Sequence, residues 1–141
     1  MNILLDTCAI SELRKPQPSR SFSAWFDSCD ERLLYLSSIT LGELRYGIDV
    51  LPDGKRKNDL LTWYSRLCLC YQGHIVTPSL EICEQWGMMR ARRQLTGRPL
   101  GMADGLIAAT AVNMGMALVT RNTKDFEGMG VELLDPWEKK V

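Results

Sequence analysis

The sequence predicts an α/β domain with a largely parallel β-sheet, and two observations support this class. Short apolar runs with strand character recur along the chain, and longer segments with apolar residues at helical spacing separate them. Strands that alternate with helices favour parallel crossover connections. The 141 residues, 45% of them hydrophobic, can bury a core without stabilising cross-links, so we expect a single domain over residues 1–141.

Five apolar runs are predicted to be strands, at residues 2–5, 33–36, 75–76, 117–120 and 131–134. Six segments are predicted to be helices, at residues 9–14, 20–29, 40–50, 55–69, 80–95 and 102–114. Local signals mark their ends: the Pro16–Pro18 breaker stops the first helix, Ser19 is a favoured N-cap for the second, and Gly115 ends the last. The helix at 102–114 is apolar nearly all round, which predicts that it is buried.

Charge and composition exclude several broad classes of protein. Seventeen basic and seventeen acidic residues cancel, which argues against a polybasic nucleic-acid coat protein but leaves room for a local basic patch. The N-terminal segment has no basic n-region, and Asp6 interrupts its apolar run, so it is predicted to form a strand and not a signal peptide. No stretch is long and uncharged enough to span a membrane. We therefore expect a cytoplasmic protein.

The cysteines and the single histidine narrow the chemistry further. Five cysteines, an odd number without CxxC spacing, predict reduced thiols, most of them in the core, and no disulfide framework. His74 opens a short apolar run and is most simply the start of a strand. A Ser-His-Asp triad would have to use this histidine, and a zinc site with two histidines is impossible within one chain.

Four acidic residues, Asp6, Glu43, Asp104 and Asp125, each stand where a predicted strand ends or a predicted helix begins. In a parallel sheet these junctions gather along one edge, so the four side chains can meet in one pocket. Crowded carboxylates repel each other unless some are protonated or a cation neutralises them. Oxygen ligands with no histidine or thiol nearby suit Mg²⁺ or Mn²⁺. The pattern predicts a small metal-dependent enzyme that cleaves phosphodiesters.

Two of these acids have structural roles that compete with a role in a site. Asp6 equally suits the N-cap of the following helix. Glu43 completes a capping box that starts at Thr40, and taken alone this role is the favoured one. Ser37 and Ser38 offer earlier caps, which would place Glu43 deeper in its helix and free it for a ligand.

Asp104 is the most informative of the four acids. It is the only charge in the apolar segment 101–114, and a buried carboxylate must be paired, hydrogen-bonded or bound to a metal. The alternative role for Asp104 is structural: an acid in the first turn of a helix interacts favourably with the helix dipole, by about 0.3–1 kcal/mol. Of the two roles, the one in a site is favoured here. Asp125 follows the fourth strand, where a turn-forming role is equally suitable.

Beyond single residues, the chain carries four ordered motifs: Leu4-Leu5-Asp6-Thr7 with Ile10-Ser11-Glu12, Leu41-Gly42-Glu43-Leu44-Arg45-Tyr46-Gly47, Ala103-Asp104-Gly105-Leu106-Ile107-Ala108-Ala109-Thr110-Ala111, and Leu118-Val119-Thr120-Arg121-Asn122 with Asp125-Phe126. With these motifs, which span nearly the whole chain, it resembles PIN-domain ribonucleases, and among them the VapC-type toxins of bacterial type II toxin–antitoxin pairs.

The resemblance implies a parallel sheet of order 3-2-1-4-5, an acidic pocket for Mg²⁺ or Mn²⁺, and endonucleolytic cleavage of RNA such as tRNA or rRNA. It also implies a homodimer and an antitoxin protein that blocks the pocket, in a complex that can bind DNA. Asp6, Glu43 and Asp104 match the first three acids of the family. Many members carry an aspartate where this chain has Asn122, so the fourth position lies open between Asn122 and Asp125. The expected supporting residues are Thr7, Thr120 and Asn122.

Residue chemistry alone is consistent with this role. Asp6, Glu43 and Asp104 would hold one or two hard cations, and a metal-activated water would attack the phosphorus without a protein nucleophile. The candidates for phosphate contacts are Arg90 and Arg93, on one predicted helix, and Arg121, near the pocket edge; a solvated helix face is at least as good an explanation for the helix arginines.

Two other functions are open to the sequence. One is a non-catalytic binding module of the same fold, acting mainly with its antitoxin in DNA-bound autoregulation. The other is a phosphoaspartate protein, which the sequence disfavours. A haloacid-dehalogenase-like phosphatase needs a second acid two residues after Asp6, where this chain has Cys8, and a receiver-like domain usually pairs adjacent acids, which are missing beside the first predicted strand.

Overall fold

A single parallel β-sheet organises the protein, in a computed structural model that describes residues 1–138. Its strand order is β3-β2-β1-β4-β5, with every neighbouring pair parallel. The strands are β1 (Ile3–Leu5), β2 (Leu34–Ser37), β3 (Ile75–Val76), β4 (Ala117–Val119) and β5 (Leu133–Leu134). The predicted fold class and strand order are confirmed. The predicted domain also includes residues 139–141, which lie outside the described residues.

Six helices connect and flank the strands: α1 (Thr7–Leu13), α2 (Arg20–Ser28), α3 (Ser38–Asp49), α4 (Lys55–Cys70), α5 (Leu80–Leu95) and α6 (Met102–Met114). Two short 3-10 turns, Glu31–Leu33 and Thr123–Phe126, precede β2 and follow β4. The Ser19 hydroxyl caps α2 by accepting from the Phe22 N–H at 3.4 Å, as predicted. Gly115 ends α6 with φ of 65°, a left-handed conformation that favours glycine. Within residues 1–138, no helix has the length and apolar character needed to cross a bilayer.

The core consists of two layers, one on each face of the sheet. Because side chains alternate along a strand, Leu4 of β1 faces the layer formed with α5 and α6, while Leu5 faces the layer formed with α1 to α4. Leu118 and Val119 repeat this alternation on β4, and all four side chains are fully buried. Each contributes roughly 1.5–3 kcal/mol through removal of its apolar surface from water.

The prediction that most cysteines lie in the core is wrong. All five are free thiols, but Cys8, Cys29 and Cys68 are half-buried, and Cys70 and Cys83 are exposed. On α4 the adjacent residue Leu67 takes the core position, and Cys68 lies at the edge of the apolar stripe.

The segment after β5 is fastened to α1 and α2 by Trp137. Its indole stacks on Phe22 with ring centroids 4.8 Å apart, and its Nε1–H donates to Glu12 Oε1 at 2.5 Å. Glu12 is only 3% exposed, and Lys15 Nζ lies 3.1 Å from its other carboxylate oxygen. Burial alone would raise the pKa of Glu12, but hydrogen bonds from Trp137 and Lys15 outweigh it and lower that pKa. The buried charge is therefore compensated.

Gly105, the residue after Asp104, allows α5 and α6 to pack closely. A Cβ atom at this position would lie 2.8 Å from two ring atoms of Trp86 and 3.0 Å from Leu100 Cδ2. These distances are shorter than a side chain tolerates, so only glycine fits between the two helices without a shift of the indole. Gly87, on α5, has nothing within 4 Å of the corresponding position.

We expect Gly105→Ala to destabilise the protein by about 1–3 kcal/mol, because the added methyl group overpacks the contact with Trp86. Thermal unfolding should show a Tm lower by about 3–10 °C. Gly87→Ala is the matched control and should raise the Tm slightly, since alanine is the better helix former by about 0.5–1 kcal/mol. Equal Tm changes in the two variants would contradict the close packing at Gly105.

Candidate active site

Asp6 follows the central strand at the carboxyl edge of the sheet. We call this edge, where Asp6, Glu43, Asp104 and Asp125 lie, the acidic edge. It follows β1, its N–H donates to the Val119 carbonyl at 3.1 Å, and its Oδ1 accepts from the Ala9 N–H at 2.9 Å. The residue is 6% exposed, so its carboxylate is largely removed from water. Asp6 is therefore the N-cap of α1 and also faces the other acids. The two alternative roles predicted for it are compatible.

The surroundings of Asp6 disfavour its negative charge. Burial is the main cause that raises its pKa, and the charge of Asp104 adds to it. The neighbouring Thr120 hydroxyl and the Ala9 N–H oppose the shift without cancelling it. Thr120 is fully buried at the end of β4, and its hydroxyl also accepts from the Asn122 N–H at 3.1 Å.

Glu43 does not form the predicted capping box with Thr40, and that interpretation is wrong. The N-cap of α3 is Ser37, whose hydroxyl accepts from the Ile39 N–H at 3.1 Å, so the helix begins before Thr40. Glu43 therefore lies beyond the first turn and is exposed. Its Oε1 accepts a hydrogen bond from the Thr7 hydroxyl at 2.7 Å. Thr7, predicted as a supporting residue, thus links the end of β1 to α3.

Asp104 lies in the first turn of α6, and the prediction that it is buried is wrong. The helix is buried along its later turns, from Gly105 to Ala111, while its N-terminal turn opens to solvent at the acidic edge. Although the residue is exposed, the surrounding cleft partly desolvates its carboxylate, which is the main cause that raises its pKa. The charges of Glu43 and Asp125 raise it further.

Asp125 and Asn122 both belong to the turn that follows β4. Asn122 is the N-cap residue of the turn Thr123–Phe126, and its Nδ2 lies 3.5 Å from Cys8 Sγ. Asp125 is exposed, and its charge acts on Asp104. Asn122 thus contacts Cys8 of α1, whereas the charge of Asp125 acts on Asp104 of α6, and the fourth position stays open between the two residues.

Cys8 lies inside the acidic group, contrary to the expectation that no thiol is near it. Burial raises the pKa of its thiol to about 11, the charges of Asp6 and Asp104 contribute, and Arg121 opposes them. The negative potential of the pocket thus acts on a neighbouring group as well as on the acids themselves.

Two arginines hold the turn that carries Asp125. The Arg93 guanidinium donates from Nε to the Arg98 carbonyl at 2.9 Å and from Nη1 to the Asp125 carbonyl at 3.1 Å. Arg98 Nη2 donates to the Lys124 carbonyl at 3.3 Å. These bonds engage Arg93 with the main chain and hold this turn, while its predicted contact with phosphate stays a prediction. Sequence reasoning missed this role, because nothing in the local pattern shows that a helix C-terminus meets a turn about thirty residues later.

The other two arginines predicted to contact phosphate each lie against an aromatic ring. The Arg90 guanidinium lies 5.4 Å from the ring centroid of Trp86, and that of Arg121 lies 6.0 Å from the ring of Trp137. Both residues are exposed, and neither forms an ion pair within residues 1–138. Their role in phosphate binding stays a prediction.

The donor atoms at this edge are mainly oxygens. They come from the carboxylates of Asp6, Glu43 and Asp104 and from the hydroxyls of Thr7 and Thr120, and the thiol of Cys8 lies beside them. In the described part of the chain, no three His, Cys, Asp or Glu side chains stand close enough to enclose a metal ion. An open set of oxygens suits Mg²⁺, which keeps several waters and uses one or two carboxylates together with substrate phosphates. It does not suit a closed tetrahedral zinc centre.

Comparison with known proteins agrees with this description. Residues 3–131 match the family model of the PIN domain. The chain is 39% identical to VapC ribonuclease Y4jK of Sinorhizobium fredii, over 96% of this chain and 98% of that protein. It is 37% identical to toxin FitB of Neisseria gonorrhoeae, again over 96% of this chain and 98% of that protein. A solved structure of FitAB bound to an IR36 DNA fragment superposes with a TM-score of 0.90 at 36% identity, covering 99% of this chain and 98% of that one.

The chain therefore belongs to the PIN-domain family. Within it, the chain falls in the VapC and FitB group of toxin–antitoxin PIN ribonucleases, as the sequence motifs indicated.

We expect Asp6→Asn to stabilise the metal-free protein. At a pH above the raised pKa of Asp6, its buried charge destabilises the folded state, and a neutral amide removes this effect. Asparagine is also an equally good N-cap. In EDTA at pH 7, scanning fluorimetry should show a Tm higher by about 2–5 °C. The difference should vanish as the pH falls through the pKa of folded Asp6 towards its usual value of 3.8, because the wild-type carboxyl is then protonated as well.

The control for this prediction is Asp27→Asn, which changes an exposed aspartate on α2 and should leave the Tm unaltered. A Tm lower than that of the wild type for Asp6→Asn would show that the carboxylate stabilises the fold, contrary to the desolvation described above.

We expect Arg93→Gln to loosen the turn Thr123–Phe126. A hydrogen bond from a charged donor contributes roughly 1.5–3 kcal/mol, so loss of the bond from Arg93 to the Asp125 carbonyl should speed amide hydrogen exchange in this turn by about tenfold or more. Arg92→Gln is the matched control, since Arg92 is exposed and its side chain makes no hydrogen bond or ion pair within residues 1–138. Equal exchange rates in the two variants would show that the turn does not depend on Arg93.

Proposed function

We propose that this protein is an endoribonuclease that depends on Mg²⁺ or Mn²⁺ and acts as the toxin of a toxin–antitoxin pair. The observation that carries the proposal is the arrangement around Asp104. Asp6, Glu43 and Asp125 all lie near enough for its charge to interact with theirs, and no basic side chain within residues 1–138 forms an ion pair with any of the four. A divalent cation would relieve this repulsion.

Each residue of the group has a role in the proposed reaction. Asp6, Glu43 and Asp104 would share one or two cations, each ion held directly by one or two of these carboxylates, and a bound cation supplies activation of water and neutralisation of charge on the phosphate. The Thr7 hydroxyl orients Glu43 by donating to Oε1, and the Thr120 hydroxyl lies beside Asp6. Asp125, on the turn held by Arg93, adds negative charge beside Asp104 and is our candidate for the fourth position, with Asn122 in support.

The family and its relatives support the proposed substrate class and partner. One relative, 29% identical over 97% of this chain, is the tRNA(fMet)-specific endonuclease VapC of Shigella flexneri, so we propose tRNA as the first RNA class to test. Solved structures of FitAB and of VapBC support an antitoxin protein as the partner of this chain. We propose that the toxin acts as a homodimer.

Asp104→Asn should abolish RNA cleavage, because the amide keeps the shape of the side chain but removes its charge. We expect the rate to fall by about 10²–10³-fold, because the weakly held cation no longer stabilises the charge of the transition state. The assay follows cleavage of total tRNA in Mg²⁺ or Mn²⁺, together with growth arrest on induction. Asp27→Asn is the control and should retain both activities, while antitoxin binding should survive in both variants. A toxic Asp104→Asn variant would contradict the catalytic role of the acids.

Binding of the cation gives an independent readout. Mn²⁺ or Mg²⁺ should raise the Tm of the wild type, because a ligand that binds only the folded state stabilises it by about 2.7 kcal/mol at one hundred times its Kd. The shift should be lost in Asp104→Asn. An equal shift in both variants would show that the cation binds elsewhere.

A second function, DNA-bound autoregulation together with the antitoxin, is supported by the relatives solved on DNA. It does not exclude nuclease activity. The Asp104→Asn variant distinguishes the two functions, because it should lose RNA cleavage but keep promoter binding by the toxin–antitoxin complex.

A further inference from the structure

A cavity of about 250 Å³ opens directly beside Glu43 and Thr7, and the acidic group does not account for it. Helices α1, α3 and α4 form its walls. Since Glu43 and Thr7 line both this cavity and the acidic edge, a molecule bound in the cavity lies next to the atoms that would cleave RNA.

The cavity has the chemistry of a nucleotide site. Arg14 and Arg56 contribute two guanidinium groups, and within residues 1–138 neither forms an ion pair or a side-chain hydrogen bond. Trp63 contributes an aromatic ring. Free cations bind phosphate, and aromatic rings stack on unpaired bases, which is how proteins recognise single-stranded RNA. Leu44, Ile48, Leu51 and Leu60 also line the cavity and offer apolar contacts to a base or a sugar.

The small size of the cavity limits its occupant. Pockets for drug-sized molecules start at about 300 Å³, so this one has room for a single nucleotide unit and not for a helix of RNA or protein. We infer that the cavity is a subsite for one unpaired nucleotide adjacent to the scissile phosphate, with Arg14 and Arg56 on the backbone and Trp63 against the base. This inference rests on the proposed nuclease function and adds to it the residues that select the RNA.

Gly47 provides a direct way to close the subsite. It lines the cavity, it lies in the last turn of α3, and a Cβ at this position meets nothing within 4 Å. Gly47→Met therefore fills the space from the wall without a clash, and the helix gains about 1 kcal/mol of propensity from the loss of glycine. The variant should fold at least as stably as the wild type. Gly87→Met is the matched control, because Gly87 has the same open surroundings on α5 and does not line the cavity.

The test measures binding of a fluorescein-labelled pool of randomised single-stranded RNA, by anisotropy, in an Asp104→Asn background that leaves the RNA uncut. Gly47→Met should weaken binding by about tenfold or more, the usual loss when one stacked base is displaced. Gly87→Met should bind like its parent. In the active enzyme, sequencing of the cleaved ends should show altered nucleotide preference beside the cut in Gly47→Met only.

The arginines are tested through the salt dependence of the same binding reaction. Arg14→Gln and Arg56→Gln should each lower the slope of log K against log salt by about 0.7, the value for one phosphate contact on a single strand. Arg20→Gln, an exposed arginine of α2 that does not line the cavity, should leave the slope unchanged.

The outcomes separate this inference from the proposed function. If the wild type leaves RNA uncut, the nuclease proposal fails, while the binding measurement still decides the subsite. Equal RNA binding and equal cleaved ends in Gly47→Met and Gly87→Met would overturn the inferred subsite and leave the proposed nuclease function unaffected. Unchanged RNA binding together with weaker inhibition by the antitoxin would assign the cavity to the antitoxin, and this also overturns the inference.

Discussion

The parallel pairing of β1 with β4 is the constraint on which the rest of the site depends. Leu5 pairs with Val119, so the residues that follow, Asp6 and Thr120, leave the sheet side by side at its carboxyl edge. Both follow fully buried strand residues, Leu5 and Val119, and neither can move without disturbing the two core layers. The helices α3 and α6 then bring Glu43 and Asp104 to the same edge. The core thus fixes the acidic group in place, although the group itself contributes nothing apolar to the core.

This arrangement stores unfavourable electrostatic energy in the folded protein. Burial and mutual repulsion raise the pKa values of Asp6 and Asp104, and the negative potential extends to the thiol of Cys8. A fold selected only for stability would pair or neutralise these charges, whereas active sites commonly retain such a cost for function. The hydrogen bond from Thr7 to Glu43 and the bonds from Arg93 to the turn of Asp125 hold the acids without neutralising them. The acids are therefore held in place, and none of them forms an ion pair within residues 1–138.

The sequence was sufficient to predict elements with strong local signals. The apolar runs and caps placed all strands and helices, and the motifs located Asp6, Glu43, Asp104 and Thr7 at one edge. It could not decide between Ser37 and Thr40 as the N-cap of α3, because both are good caps and only packing selects one. It overestimated the burial of Asp104, since an apolar sequence does not show where a helix emerges from the core. The turn held by Arg93 and the cavity beside Glu43 join residues distant in the chain, and no local pattern encodes such contacts.

The most direct test is a pH titration of the aspartate side-chain carboxyl carbons by NMR, in EDTA and then in Mg²⁺. In EDTA, the pKa values of Asp6 and Asp104 should lie above the usual 3.8. In Mg²⁺ both should fall, since a nearby cation favours the charged form. Carboxyls whose titration is unaffected by Mg²⁺ would contradict a shared cation site at this edge of the sheet.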